Sequence, residues 1–426
     1  MSSLFFVRTS KCAPVLFIGA ALLSLAIPSR AADELSLAGA VQLAVQRSHQ
    51  LVGQSAAIRA SRELAVSAGQ LPDPVLKVGI DNLPVSGPDK GSLNSDFMTM
   101  RRIGFSQEIT RSDKRSLRAE RYSLEAQKNE AERERIRAAI GRETALAWLE
   151  LHHATGAAAL IDAQRSQLAQ EALASDAAYR GGRGNQSDAL AARAALVQAE
   201  DRAADAKRHV RSATLMLARW TGDAVAAQPL AALPSMDAIP FDAGKLEAEL
   251  ERSPAIAALA GQEAMAASEA RLAHANRKSD WTVDVAWQQR GSGYSNMVSF
   301  GISVPLQWDR RQRQDRELSA KLAQADQARS EREEAQRAQA AETRALLEDW
   351  RSGRERQQRY TAELLPLAQQ RSEAMLAAYR GGKARLEEVL AARRYELEVR
   401  LAALQLEADT ARLWAQLNYI LPTEAK

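Results

Sequence analysis

The chain almost lacks cysteine. Cys12 is its only thiol in 426 residues, and it stands ahead of an apolar stretch at 13–27. Arg8 and Lys11 before that stretch, and Ser29-Arg30-Ala31 behind it, have the layout of a cleaved secretory signal over residues 1–31. An uncleaved membrane anchor is the alternative reading, although the stretch is short for a bilayer span. Cleavage after Ala31 or Ala32 would leave a chain beginning near Asp33 with no thiol. That would exclude disulfides, cysteine nucleophiles and thiolate metal sites. No small-residue lipidation pattern precedes Cys12.

Other absences narrow the field. No later run offers the roughly 18 apolar residues of a membrane helix, so a membrane-spanning form would have to use strands of a closed barrel. No charge of one sign dominates either. Removing residues 1–31 deletes three basic residues and no acid, so the formal charge falls from +4 to +1, and the pI of about 9.2 does not indicate nucleic-acid binding. There is no phosphate-binding loop, dinucleotide glycine pattern, zinc-protease helix or paired carboxylate in a plausible pocket, so neither an enzyme nor a cofactor is expected. His49, His152, His153, His209 and His274 are scattered, and the adjacent His152 and His153 point about 100° apart on a helix, which excludes a shared i, i+4 metal site. Met98 and Met100 would share one strand face, as a lipid- or barrel-facing pair or, alternatively, a soft-metal contact. A cysteine-free exported chain fits the bacterial periplasm or outer membrane.

The sequence does contain a repeat. Ala178-Tyr179-Arg180-Gly181-Gly182 recurs as Ala378-Tyr379-Arg380-Gly381-Gly382, Gly104-Phe105-Ser106 as Gly301-Ile302-Ser303, and Asp73-Pro74-Val75 aligns with Asp280-Trp281-Thr282. The offsets are 200, 197 and 207 residues. Two halves, 32–220 and 242–426, therefore share one plan, joined by a proline-bearing connector at 221–241.

Each half opens with an alanine-rich helical segment, about 35–69 and 244–277. Strand pairs follow, about 74–83 with 97–109 and 281–289 with 297–307. Trp281, Val283, Val285 and Trp287 alternate with polar residues, as do Val298, Phe300, Ile302, Val304 and Leu306, which puts each set on one face of a sheet. Of Arg101 and Arg102, one must face a polar lumen or lie outside the apolar band. A proline-free stretch over 112–180 would span about 100 Å as a helix, and its counterpart over 310–380 is interrupted only by Pro366, where a kink is expected. Behind each glycine pair a second helix returns, about 187–219 and 385–419, with tips near 180–186 and 380–386. Leu390, Leu397, Leu401 and Leu404 have coiled-coil spacing.

Four strands cannot close a barrel, since eight is about the smallest number that works, and open edges are not tolerated in lipid. If these strands are transmembrane, copies must share one barrel, and three copies would contribute twelve strands. Trp281, Trp287 and Trp308 lie where an aromatic girdle belongs. A soluble β-sandwich would also alternate, and tryptophans occur in ordinary cores.

With these features the chain resembles the TolC-like outer-membrane efflux family over its whole mature length. The family's turn pattern is an aromatic, two residues, glycine, a polar stretch, then an acid and leucine. It is matched by Tyr179 to Gly182 with Asp188 and Leu190, and by Tyr379 to Gly382 with Glu388 and Leu390. The resemblance implies a mainly α fold with membrane β: a homotrimer with a 12-stranded shared outer-membrane β-barrel, four strands per protomer, continued by a long periplasmic α-helical barrel. It implies an exit duct that conducts passively, with a periplasmic membrane-fusion adaptor, an inner-membrane RND-type pump and outer-membrane lipid as partners. Gly181, Gly182, Arg183, Gly381, Gly382 and Lys383 match the adaptor-docking tips. Asp188, Tyr379, Arg385 and Glu388 match the region where family members narrow the tunnel. Ala391 stands where a second acid is expected and Ala384 where a basic residue is, with Arg385 beside it, so the closing mechanism does not transfer as a whole. Gly104 to Ile109 followed by Lys114-Arg115, Asp81-Asn82-Leu83-Pro84, and Val304-Pro305-Leu306 followed by Asp309-Arg310-Arg311 look most like the outer-membrane components of heavy-metal efflux pumps. Drug efflux and type I secretion are the alternatives within the same architecture. A periplasmic coiled-coil structural or adaptor protein is the alternative outside it.

Overall fold

A computed structural model describes residues 34–421, so the expected signal, its cleavage point and Cys12 lie outside the described residues. The first half contains α1 (Leu37–Arg47), α2 (His49–Ala68), β1 (Val75–Asp81), β2 (Met100–Ile109), α3 (Ser112–Arg180) and α4 (Gln186–Thr221). A short α5 (Asp223–Ala226) and a connector lead to α6 (Leu246–Glu251), α7 (Pro254–Ala275), β3 (Trp281–Gln289), β4 (Met297–Ser303), α8 (Gln314–Arg359), α9 (Leu365–Arg380) and α10 (Leu386–Asn418).

Helix breaks follow local chemistry. The helical segment expected at 35–69 is two helices, because Ser48 is extended and its hydroxyl accepts the Leu51 N–H at 3.3 Å, starting α2. The segment expected at 244–277 divides at Ser253, likewise extended, with Pro254 opening α7. The single helix α3 has 69 residues, about 100 Å at 1.5 Å per residue. At Pro366 the interruption takes the form of a π-turn over Tyr360–Leu364 between α8 and α9. A proline ring in a helix crowds the carbonyl four residues back, here that of Ala362, and a wider turn moves that carbonyl aside.

The long helices pack through small residues. On α4 the inward row is Ala189, Ala192, Leu196, Ala199, Ala203, Ala206, Val210, Ala213 and Leu217, with its alanines and Leu217 buried. Steps of three and four residues make it a coiled-coil seam, and alanine lets α4 lie close to α3. On α10, Leu390 and Leu397 are buried and Leu401 and Leu404 half-buried. The main core gathers Trp148, Leu149, Leu217, Leu347, Trp350, Trp414 and Leu417, and the connector's Leu230, Leu233, Met236 and Ile239 pack on it.

The sheet is antiparallel in the order β1-β2-β3-β4. All seven β1–β2 pairs, from Val75 opposite Ser106 to Asp81 opposite Met100, reappear between β3 and β4, from Thr282 opposite Ser303 to Gln288 opposite Met297. The strands are shorter than the alternation suggests. β4 stops at Ser303, because Pro305 has no N–H to offer a ladder, so Val304 and Leu306 lie beyond it. β2 begins at Met100; Met98 precedes it, its N–H donating to Asp96 Oδ2, so the two methionines share no strand face.

Beyond the sheet, the loop at 82–99 leans on the shorter one at 290–296. Arg290 donates to the Phe97 carbonyl, and a β-carbon on Gly291 would lie 2.1 Å from the Asn94 oxygen.

Candidate functional site

The register sorts the strands into two faces. One carries Leu76, Val78, Ile80, Ile103, Phe105, Ile109, Trp281, Val283, Val285, Trp287, Val298, Phe300 and Ile302, and much of it is exposed, Phe300 at 79% and Val78 at 70%. The opposite face carries Lys77, Asp81, Arg102, Ser106, Glu108, Asp284, Gln288, Ser299 and Ser303. There Lys77 Nζ lies 2.7 Å from Asp284 Oδ1 and Arg102 Nε 3.4 Å from Asp81 Oδ2. The pair Arg101-Arg102 divides as alternation requires. Arg102 is on the polar face, and Arg101 is on the apolar face near its loop end, opposite Ile80 and Gln289. A sheet that exposes one apolar face and one ion-paired face suits lipid on one side and water on the other.

Trp281 and Trp287 share the apolar face six residues apart, about 20 Å along a strand. Trp308 is not on a strand: it lies in the turn between β4 and α8, 89% exposed.

A buried ion pair joins sheet to helices. Lys114, in the first turn of α3, is 4% exposed; its Nζ donates to Asp280 Oδ2 at 2.7 Å and to the Lys278 carbonyl at 2.6 Å. Asp280 Oδ1 accepts the Arg111 N–H at 2.9 Å. Burial acts to raise the Asp280 carboxyl, but the hydrogen bonds from Lys114 and Arg111 outweigh it and hold it below its usual value. No motif marks this pair in the sequence; its only visible signal is the aligned Asp73 and Asp280 together with the basic Lys114 and Arg311.

At the other end of the molecule the glycine pairs close two matched turns. Gly182 has φ +71° and Gly382 φ +70°, the left-handed conformation expected where a helix reverses. Arg183 N–H donates to the Ala178 carbonyl at 2.9 Å and Gly182 N–H to that of Tyr179 at 3.0 Å; Lys383 and Gly382 repeat this with Ala378 and Tyr379 at 2.8 and 2.9 Å. Both are complete Schellman motifs. Gly181 and Gly381, by contrast, have negative φ.

The four constriction candidates are placed unevenly. Asp188 lies in the first turn of α4, where its carboxylate has no partner among the described residues and its N–H donates to Asn185 Oδ1 at 2.7 Å. Glu388 is engaged in its own helix start, where Oε2 accepts the Arg385 N–H at 2.7 Å. Tyr379 is 39% exposed and makes no side-chain hydrogen bond among the described residues. The two hairpins are instead joined higher up. Arg393 of α10 pairs with Glu171 of α3, whose carboxyl is raised by burial against the pull of Arg393. Leu386 and Leu390 pack there with Leu168, Ala172 and Ala192.

Among the described residues no group of three or more His, Cys, Asp or Glu is arranged to hold a metal ion, and no helix is long and apolar enough to cross a membrane.

The chain has a TolC-like fold, the one seen in solved outer-membrane channels. The chain is similar to the outer membrane protein VceC of Vibrio cholerae, with 18% identity over 90% of this chain and 95% of that one and a TM-score of 0.74. It is also similar to the CmeC outer membrane channel of Campylobacter jejuni, with 14% identity over 91% and 87% and a TM-score of 0.76. A third similar structure is CusC, a transmembrane channel, with 14% identity over 91% and 92% and a TM-score of 0.73. No family model and no curated protein matches the sequence.

Proposed function

We propose that the chain is one subunit of a homotrimeric outer-membrane exit duct. Substrate arrives from an inner-membrane RND-type pump through a periplasmic adaptor and leaves passively through a shared barrel. The observation that carries this reading is the four-stranded sheet, apolar on one face and ion-paired on the other, with two free edges and helices of about 100 Å beneath it. A lone open sheet of that kind has no stable home in lipid, whereas three copies closing one barrel leave no edge. The likeness to solved outer-membrane channels supports the same reading. The hairpin tips, Gly181-Gly182-Arg183 and Gly381-Gly382-Lys383, are the adaptor contact in this proposal, and Asp188, Tyr379, Arg385 and Glu388 lie at the narrow end.

Heavy-metal cations are the proposed cargo. The support is the resemblance of Gly104 to Ile109 with Lys114-Arg115, and of Val304 to Leu306 with Asp309 to Arg311, to the outer-membrane components of heavy-metal pumps. Two experiments test the reading. Membrane extraction should need detergent and yield a heat-sensitive trimer; a water-soluble monomer would end the proposal. A deletion strain should become sensitive to metal salts and keep its tolerance of hydrophobic drugs, while the reverse pattern would reassign the cargo and leave the duct standing.

A further inference from the structure

The internal repeat specifies the contact between copies, given the shared barrel proposed above. β2 maps onto β4 by adding 197, and β3 onto β1 by subtracting 207; these offsets come from the sequence and are obeyed by every pair in the β1–β2 and β3–β4 ladders. The remaining ladder, β2 with β3, joins the two halves of one chain. Applying the same offsets to it generates the pairing between β4 of one copy and β1 of the next. Gly104 opposite Ala286 becomes Gly301 opposite Gly79, Gln107 opposite Val283 becomes Val304 opposite Leu76, and Phe105 opposite Val285 becomes Ile302 opposite Val78.

Two features of the structure agree with this register. Gly104 meets Ala286 so closely that an added β-carbon would lie 2.9 Å from the Ala286 Cβ, so this site takes only small residues. Its mapped counterpart is a glycine on both strands, and an added β-carbon would meet nothing within 4 Å at Gly79 and only Asp284 Cβ, at 3.7 Å, at Gly301. The second feature is charge. The buried pair Lys114–Asp280 maps onto Arg311 and Asp73. Both are exposed, and among the described residues neither has a salt-bridge partner. Lys114 lies in the first turn of α3, whereas Arg311 lies in a turn ahead of α8.

We propose that each copy docks on the next with Gly301 facing Gly79 and Ser303 facing Lys77, and that Arg311 of one copy forms an ion pair with Asp73 of its neighbour. The pair locks the sheet-to-helix junction between copies as Lys114–Asp280 locks it within one. The recognised partner is a second copy of this chain, and the specificity lies in the register rather than in apolar area.

The test uses the full chain carrying Cys12→Ser. Ser303→Cys with Lys77→Cys should cross-link under mild oxidation into covalent dimers and trimers, whereas Ser303→Cys with Gly79→Cys or with Val75→Cys, displaced by two residues, should not. Asp73→Arg and Arg311→Asp should each lose the heat-resistant trimer band, and the double exchange should restore it. Cross-linking only in a displaced pair, or no recovery in the double exchange, would overturn this inference while the trimer stands. A parent protein with no oligomer at all would overturn the duct itself and this contact with it.

Discussion

The indole N–H of Trp148 donates to the carbonyl oxygen of Leu35 at 2.9 Å, and the same oxygen accepts the Ala231 N–H at 3.1 Å. One buried oxygen therefore ties α3, the segment ahead of α1 and the connector together. Trp148 is fully buried, so Trp148→Ala is expected to cost about 3–5 kcal/mol through the cavity it leaves. Trp148→Phe should cost less, about 1–3 kcal/mol, because the oxygen keeps its backbone donor. Denaturant unfolding of the detergent-solubilised protein measures both. Equal losses for the two variants would mean that the hydrogen bond, not the packing, dominates.

His153 gives the fold a defined pH response. Burial, then its neighbour His152 and Arg412, push its imidazole from 6.5 down to about 4, with Glu150 and Asp409 pulling the other way. The folded protein thus keeps it neutral where the unfolded chain protonates it. Stability should fall as pH drops from about 6.5 to about 4 and then level off for this group, with a slope of up to about 1.4 kcal/mol per pH unit. His153→Gln should flatten that window. Asp280 acts lower and in the same direction: its depressed pKa adds stability that is present above the carboxylate's ordinary value and lost as pH falls through the folded one.

At the tips, Gly182→Ala and Gly382→Ala should each cost about 1 kcal/mol, since an added β-carbon meets nothing within 4 Å and only the left-handed backbone resists it. Hydrogen exchange should quicken in the turn and leave the core unchanged. Global destabilisation instead would show that the hairpin ends unfold together with the body.

Gly104→Val should be poorly tolerated. Its β-carbon would press on Ala286 and on the Val285 carbonyl oxygen, both at 2.9 Å, and overpacking of that kind costs about 1–3 kcal/mol. Lys77→Ala, on the same face, should change stability by less than about 1 kcal/mol, since its pair with Asp284 is solvated. Thermal melting separates the two; similar losses would mean that the polar face depends on charge pairing more than on backbone fit.

Alternation and repetition make the sheet legible in the sequence, because a period of two assigns faces and the offsets carry the register. The reversals at Gly182 and Gly382 were legible for another reason: few residues other than glycine accept that backbone. The seam of α4 was not. Its signal is small size at Ala189, Ala199 and Ala203, and a search for large apolar residues passes over alanine. The interruption expected at Pro366 takes the form of a π-turn, because a helix can admit one extra residue where a proline crowds a carbonyl. The cross-hairpin pair Arg393–Glu171 has no counterpart in the repeat: Arg193, the mate of Arg393, binds Asp176 within its own hairpin, and Leu376 stands where the mate of Asp176 would be. Glu388, matched by resemblance to the tunnel-narrowing region, accepts the N–H of Arg385 at its own helix start, a contact that the motif does not reveal.

The two loops above the sheet, 82–99 and 290–296, differ in length by eleven residues, and the longer rests on the shorter. A threefold ring of such chains would have three raised lobes around its rim instead of six equal turns. Large molecules approaching from outside would meet a notched crown, with each lobe braced from below by Gly291. Enlarging that single glycine would tilt every lobe at once and change the width of the opening without altering the barrel wall.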